Sequence, residues 1–524
     1  MAAVLALNGH SLRLEDVVEV ARGSVQVEIS EEALAKVRAT REVIEKYVRG
    51  GLPVYGVNTG FGALCDTSIP AGALRRLQRN LVRSHASGAG GFFPREIVRA
   101  AMLLRANSLS RGQSGVRPIV VETLVKMLNK DVTPAVHSEG SLGASGDLAP
   151  LADLALVVTG GGRAWYRGEL LDGREAMERA GILPIELEAK EGLALLNGTA
   201  FMTAMAVLAC DKAVRYLEAQ NAAAALSLAG FAGTAVPYTE RLIKARAHEG
   251  ALIVARHMRR LLEGNRMVES GKRRKVQDPY CFRCVPQVHG AAVTALLHTA
   301  SVIEVEINSA TDNPLIIDGN VYSGGNFHGQ PVGSVMDYLT IAITSVAAMA
   351  ERRVNQLLHP GQSGLPAFLT PDPGLNSGLM IAQYTAASLV NESRVLATPA
   401  SIHSIPVCAD QEDHISMATY AAHKALEVMG KVTLVSAIEL LTAAQAVDLR
   451  LVGQKPSEVL GDALSSVYET TRQRVPFVAE DESLAEHIES MASAIEGGEL
   501  HEALKRKEAN LDLENTSYRG DALG

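Results

Sequence analysis

The sequence predicts a mainly α-helical protein: a bundle of long helices preceded by an N-terminal mixed segment of helices and short strands. Three observations carry this. Ala and Leu dominate, while Phe, Trp and Tyr make up only 4% of the residues, which suits helix packed on helix. From about Thr199, apolar patterns of helical period run at 199–230, 286–310, 330–358, 376–396 and 414–449, each far above the average helix length. Charges are thin along them, so stripes such as Met202, Met205 and Leu208 read as core rather than cofactor contacts. The 524 residues suggest roughly two to four domains. We divide them into 1–198, mainly helical with short strands and the reactive loop described below; 199–450, the central bundle; and 451–524, a more charged helical tail packed on the bundle.

The elements follow from local signals. Residues 1–30 alternate short apolar runs with turns, and Val4–Leu7 and Val25–Ile29 read as strands. Ser30-Glu-Glu-Ala caps a helix running to about Arg49. A glycine-punctuated loop, 52–62, carries Tyr55, and such loops suggest function more than packing. Helices follow at about 70–86, 94–111 and 117–129, then a hairpin at 163–173 and a short helix from Gly173. Residues 313–326 form a turn-rich insert, and the tail holds several shorter helices.

Composition excludes several function classes. The net charge of −8 argues against nucleic acid and anionic membranes as partners. The one basic cluster, Lys272-Arg273-Arg274-Lys275, reads as a solvated turn. Five cysteines, at 65, 210, 281, 284 and 408, are an odd, sparse set that points to a reducing compartment. Cys281-Phe-Arg-Cys284 lacks the second ligand pair that a structural zinc needs, so no metal is expected. The N-terminus lacks the basic and apolar regions of a signal peptide. The weakly polar run 222–237 is short for a membrane span and reads as a buried helix. No Walker motif is present, and the Gly88 and Gly160 clusters follow no strand in a βαβ setting, so no nucleotide site is expected. A cytoplasmic protein is the expectation.

The chemistry centres on residues 138–151, Ser-Glu-Gly-Ser-Leu-Gly-Ala-Ser-Gly-Asp-Leu-Ala-Pro-Leu. Gly146 has no Cβ, so the backbone can fold tightly enough for its amide nitrogen to attack the Ala144 carbonyl and close a five-membered ring. Loss of water from the ring, and of the Ser145 hydroxyl, leaves an exocyclic methylene conjugated to a carbonyl, an electrophile made from the chain alone. Gly140, Ser141 and Gly143 leave space for a strained turn. A bare Ala-Ser-Gly would more simply be a loop before a helix, with Asp147 near the helix start and Pro150 in its first turn.

The longer string resembles the signature of the ammonia-lyases and aminomutases that use a methylidene-imidazolone (MIO) group. Further segments spread over most of 50–450 resemble the same family: Val54-Tyr55-Gly-Val-Asn-Thr-Gly-Phe-Gly62, Leu195-Leu-Asn197-Gly-Thr199, Val276-Gln277-Asp-Pro-Tyr280-Cys-Phe-Arg283, Ser323-Gly-Gly-Asn326-Phe327-His328, and Asp410-Gln411-Glu412-Asp413-His414. The resemblance implies the helical fold shared with fumarase-like enzymes, MIO from Ala144, Ser145 and Gly146 with no external cofactor, and a homotetramer sharing active sites between subunits. It also implies Tyr55 as the base that takes the β-proton. A phenol near its ordinary pKa of about 10 needs lowering by neighbours for that task. Asn197 and Tyr280 would face the electrophile and stabilise charge on its oxygen. The Arg283 guanidinium suits a substrate carboxylate. Gln277 and Phe327 match further site positions, and helix N-termini converging on residue 145 would sharpen the electrophile.

For the substrate, Ser84-His85 after Asn80-Leu-Val-Arg resembles the histidine branch of the family. Gln411-Glu412 stands where phenylalanine and tyrosine enzymes carry Asn-Gln, and a carboxylate at 412 suits an imidazole N–H but would be left unpaired by a phenyl ring. Met380 resembles a residue lining the histidine ring site. Ala200, Thr398, His403, Asp410 and Cys281-Phe282 depart from that branch. The expected reaction is elimination of ammonia from an aromatic L-amino acid, best matched by L-histidine to trans-urocanate. The alternatives are a tyrosine or phenylalanine lyase or aminomutase, and, in a different class, a catalytically silent helical scaffold.

Overall fold

The computed structural model describes residues 4–51, 53–269, 276–451 and 453–513. The basic cluster at 272–275 lies outside them. The chain divides into two compact units, one of Met1–Asp211, Ala300–Asp337 and Pro399–His423, the other of Lys212–Thr299, Tyr338–Thr398 and Lys424–Gly524. These boundaries do not coincide with consecutive blocks ending at 198 and 450. Four long helices, Ala200–Phe231, Val285–Ile307, Gln330–Leu358 and Ala418–Arg450, each contribute residues to both units, so chain order and packing order differ.

The first unit opens with a parallel pair, Val4–Leu7 beside Gln26–Ile29. The sequence reading found both strands but missed the helix between them, Leu14–Ala21, whose Val17, Val18, Val20 and Ala21 are buried. The helix Glu31–Gly50 starts where the Ser30 hydroxyl accepts from the Ala33 amide at 3.2 Å and ends at a left-handed Gly51. Its Ile44 joins Val57, Leu74, Ala189 and Ile316 in a core cluster under the Tyr55 loop. Leu74–His85 places Ser84 and His85 at its C-terminal end. Ala89–Phe92 pairs antiparallel with His137–Glu139, a contact with no sequence signal, and brings the chain to residue 140. The expected hairpin is present as Arg163–Tyr166 with Glu169–Asp172, and Thr133–Pro134 covers its other edge. The turn-rich insert is a second hairpin, Leu315–Ile317 with Asn320–Tyr322.

In the second unit the long apolar helices are pinned by a buried polar chain. The Arg353 guanidinium donates to Glu439 at 2.5 and 3.0 Å and to Gln220 at 3.0 Å, and Ser227 donates to Glu439 at 2.8 Å. The second oxygen-rich arm runs through histidines. His289 Nδ1 lies 2.8 Å from the Asn221 carbonyl oxygen, Asn221 Nδ2 lies 3.0 Å from His257 Nδ1, and His257 Nε2 lies 2.9 Å from the Ala509 carbonyl. A backbone carbonyl only accepts, so His257 carries its proton on Nε2 and accepts on Nδ1. Three helices, Val285–Ile307, Gln330–Leu358 and Ala418–Arg450, are long and apolar enough to cross a membrane by length and composition, contrary to the sequence reading of no such segment. The last of these is 83% buried within the protein, and apolarity all round is what an interior bundle helix requires.

Burial pushes the His257 imidazole down to about 4 and His289 further in the same direction. In the unfolded chain a histidine titrates near 6.5. Both therefore contribute stability that is complete above pH 6.5 and lost as pH falls toward the folded value. Urea unfolding at pH 7 and pH 5 should differ by about 2 kcal/mol from His257 alone, less stable at pH 5, with His289 adding to it. His257→Gln should remove the His257 share of that difference.

Candidate active site

The reactive stretch sits in a left-handed turn: Gly143, Ser145 and Gly146 have φ of +72°, +51° and +80°. Ser145 is not glycine, so the turn holds strain of about 1–2 kcal/mol there. Gly146 is required, because a Cβ would lie 2.1 Å from the Gly198 carbonyl oxygen, and one at Gly143 would lie 2.3 Å from Ser416 Oγ. Gly146 and Gly198 form a parallel bridge, in which Asp147 N donates to the Gly198 carbonyl at 2.8 Å. The Ser145 carbonyl oxygen accepts from Asn197 Nδ2 at 2.9 Å and, more weakly, from Gly198 N at 3.4 Å. Two N–H groups thus aim at the one oxygen that a ring built from Ala144, Ser145 and Gly146 would retain.

Asp147 fixes this turn. It stands at the start of Leu148–Val158, yet its buried carboxylate accepts from Phe201 N at 2.8 Å and Met202 N at 3.0 Å, at the start of Ala200–Phe231. Thr419 Oγ1 at 2.7 Å and Ser141 Oγ at 3.4 Å complete its shell. Burial outweighs these donors and pushes the carboxyl up to about 6. Met417 N donates to the Leu142 carbonyl at 2.9 Å, and Ser416 Oγ to that of Gly143 at 3.3 Å. Three helices, Leu148–Val158, Ala200–Phe231 and Ala418–Arg450, therefore begin at this loop and turn their N-terminal ends toward it.

Tyr55, His85 and Glu412 gather on the same loop. Glu412 Oε1 accepts from Ser145 Oγ at 3.3 Å. Its charge also reaches both Tyr55 and His85. His85 Nδ1 lies 2.9 Å from the Leu81 carbonyl and 3.0 Å from Ser84 Oγ, and Ser84 Oγ itself donates to Leu81 at 3.0 Å. Nδ1 therefore carries the proton and Nε2 keeps a lone pair. Burial lowers the His85 imidazole, so it is neutral at pH 7. Tyr55 corrects the expectation that neighbours lower its phenol. Burial raises it, and Glu412, Cys65 and Cys408 raise it further, against only the Gly62 amide donating at 3.5 Å. Asp410 and Gln411 are exposed on a turn closed between Val407 and Glu412, and Phe327 is half-buried.

The remaining predicted residues belong to the second unit. Gln277 and Tyr280 are exposed, and Met380 is half-buried at the start of Met380–Leu396. The Arg283 guanidinium lies over the Tyr280 ring at 4.3 Å, and its Nε has no hydrogen-bond partner among the described residues. Cys281 is buried and no cluster of metal-ligating side chains occurs among the described residues.

Several residues at the site escaped the sequence reading. The Asp147 carboxylate caps a helix some fifty residues away, and Arg105 is fully buried with Nη1 donating to the Asn197 carbonyl at 2.5 Å. The available signal for Arg105 was a charge inside the apolar run Ala-Met-Leu-Leu-Arg-Ala. For the buried pair Lys190 and Asp312, 2.6 Å apart, there was none.

The family model of the aromatic amino acid lyases matches residues 12–473. The chain belongs to the aromatic amino acid lyase family. A relative within it, the histidine ammonia-lyase of Caldanaerobacter subterraneus subsp. tengcongensis, is 46% identical over 96% of this chain and 98% of its own length. Among solved structures, the tyrosine aminomutase of Streptomyces globisporus superposes with a TM-score of 0.91 at 37% identity, covering 96% of this chain and 99% of that one. The histidine ammonia-lyase of Trypanosoma cruzi gives 0.89 at 36% identity, covering 97% of each. The family's mainly helical architecture agrees with the fold class read from the sequence.

Two glycines test the turn without reference to chemistry. Gly146→Ala forces a Cβ onto a backbone carbonyl at positive φ and should cost roughly 3 kcal/mol in thermal or urea unfolding. Gly168→Ala, at φ +85° with nothing within 4 Å of the added Cβ, should cost only about 1 kcal/mol.

Proposed function

We propose that this chain is a histidine ammonia-lyase, converting L-histidine into trans-urocanate and ammonia. Relatives named for that reaction at 46% identity support the substrate. The observation that carries the chemistry is the Ser145 carbonyl, held by Asn197 Nδ2 at 2.9 Å inside a left-handed turn in which Gly146 admits no Cβ.

That turn fits formation of MIO. The Gly146 nitrogen bonds to the Ala144 carbonyl carbon. One water leaves with the Ala144 oxygen, and a second takes the Ser145 hydroxyl with its α-hydrogen. The Ser145 carbonyl oxygen stays, between the Asn197 and Gly198 donors. When formed, the group supplies an electron-poor methylidene that accepts electrons from the substrate's amine or ring.

The chain's own residues do the rest. Asn197 and Gly198 stabilise the Ser145 oxygen as negative charge gathers on it. Glu412, 3.3 Å from Ser145 Oγ, holds an imidazole N–H or the departing ammonium. His85 offers Nε2 as an acceptor to the substrate ring, with Ser84 holding its other nitrogen. Arg283 takes the substrate carboxylate, which fits a guanidinium whose Nε has no partner among the described residues. Tyr280 adds a further donor at the electrophile, and Gln277, Phe327, Met380 and Gln411 line the substrate. Tyr55 takes the β-proton; because burial holds its phenol up, the substrate's ammonium supplies the positive charge that makes it a base.

The protein acts as a cytoplasmic homotetramer with shared active sites. Exposed Tyr280, Tyr338, Ile341, Ile381 and Tyr384 support self-association, and five free cysteines suit a reducing compartment. A second reading, aminomutase action on tyrosine, is favoured by the tyrosine aminomutase structure.

A continuous UV assay with separate L-histidine, L-tyrosine and L-phenylalanine, read alongside free ammonia, decides between them. Urocanate from histidine alone is expected; a β-amino acid from tyrosine would establish the aminomutase. Ser145→Ala should abolish turnover while leaving the fold, and borohydride should inactivate the native enzyme. Indifference to borohydride together with no turnover would make the chain a silent scaffold. Asn197→Ala should lower kcat about 10²–10³-fold.

A further inference from the structure

We propose that Arg105, which touches neither Ser145 nor substrate in the proposed reaction, is a positioning residue that holds the Asn197–Gly198 peptide against the Ser145 carbonyl. The inference rests on the lyase reading of that carbonyl. Arg105 lies in Arg95–Ser110 and is fully buried. Nη1 donates to the Asn197 carbonyl at 2.5 Å, from the side opposite the donors that Asn197 and Gly198 aim at Ser145. Nη2 donates to Ser108 Oγ at 3.1 Å, which sets the angle of the guanidinium.

The peptide has little freedom beyond this clamp. Gly198 has φ of +141°, and a Cβ on it would lie 2.5 Å from Arg105 Nη1 and 2.7 Å from Thr311 Oγ1. Its carbonyl is taken by Asp147 N at 2.8 Å and its amide reaches the Ser145 carbonyl at 3.4 Å, while Asn197 N donates to the Leu193 carbonyl at 2.8 Å. A fully buried guanidinium loses its hydration unless partners replace the water. The opposing charge that acts on it is Asp312, which is itself tied to Lys190 at 2.6 Å. A guanidinium behind the donors favours negative charge on the Ser145 oxygen in front of them.

A small cavity explains why this position is an arginine and not a packed apolar residue. About 10 Å³ in size, room for one water, it is lined by Arg105, Thr203, Glu306, Ser309 and Thr311. Arg105 Nε and Thr203 Oγ1 are buried beside it with no hydrogen-bond partner among the described residues. Burial raises the Glu306 carboxyl, whose oxygen takes the Thr199 hydroxyl. Leu104, Ala200 and Ile307 complete its lining, and the arginine joins the cavity to the Asn197–Gly198 peptide.

The test uses the full-length oligomer with Arg105→Lys, Arg105→Met and Ser108→Ala, measuring kcat, KM and the borohydride-trappable electrophile per chain. Arg105→Met should lower kcat by about 100-fold with KM within about twofold, while the trappable electrophile is still formed. Arg105→Lys, which keeps the charge but loses the fork, should recover about tenfold of that loss. Ser108→Ala frees the guanidinium without removing it and should lower kcat about fivefold at unchanged KM and unchanged melting temperature. A wild-type kcat in Arg105→Met, or equal kcat in the lysine and methionine variants, would overturn the proposal. If the arginine variants fail to fold, Ser108→Ala decides, and an unchanged kcat there counts against it. Absence of turnover and of trappable electrophile in the unmodified protein would instead sink the lyase reading.

Discussion

A buried carboxylate that must be hydrogen-bonded on every side sets the geometry of the reactive turn. Asp147 takes two amides at the start of Ala200–Phe231 and the hydroxyl of Thr419 near the start of Ala418–Arg450. Its own amide reaches back to Gly198. Because Asp147 follows Gly146 directly, any slip of the turn would strand a buried carboxylate, at a cost of several kcal/mol. The left-handed strain at Ser145 is thereby held by contacts on both sides of the tripeptide. The convergence of three helix starts follows from the same residue, since a carboxylate at a helix N-terminus faces the exposed N–H groups it can cap.

The two units solve burial in different ways. In the first, charged side chains serve backbone groups at the site: Arg105 on Asn197, Asp147 on Phe201 and Met202. In the second, they serve one another, with Arg353, Glu439, Gln220, Asn221 and two histidines forming a connected chain among long helices. Helices with so little charge along them could slide or rotate without large loss of apolar contact. A directed polar chain removes that freedom, because one step of register would leave several buried donors unpaired.

Much of this was legible in the sequence, and what was legible shares a physical basis. The long helices announced themselves through period and length, and the hairpin at 163–173 through its Gly-containing turn, whereas the insert at 313–326 showed its turns but not its strands. Ser30 marked a helix start that the structure keeps. The tripeptide, Asn197, His85 and Glu412 were readable because they sit in motifs whose residue types have few other uses together. The helix Leu14–Ala21 was missed because its eight residues are too short to show a period clearly. The pairing of Ala89–Phe92 with His137–Glu139 was missed because a two-glycine strand carries no β signal. Arg105 and Lys190 look like surface residues by type, and only three-dimensional packing shows that each is fully buried. Packing order also escaped: a helix can belong to two units, and nothing in its sequence marks the residue where that happens.

The Tyr55 phenol shows where residue identity and electrostatics part company. By position it matches the family's base, but its surroundings in the first unit hold its proton more tightly, through burial first and then the negative charge of Glu412. No cation is among the groups that act on it. A base so placed is idle until a positive charge arrives, and in the proposed reaction the substrate's ammonium is such a charge. Burial that opposes Tyr55 in the free site then works in its favour, since an incoming cation acts more strongly where water is scarce. Glu412 changes role by the same logic: it raises Tyr55 when the site is free, and it holds the imidazole N–H or the ammonium when the site is filled. In the proposed reaction this would couple proton removal to substrate occupancy, because the activating charge arrives with the substrate.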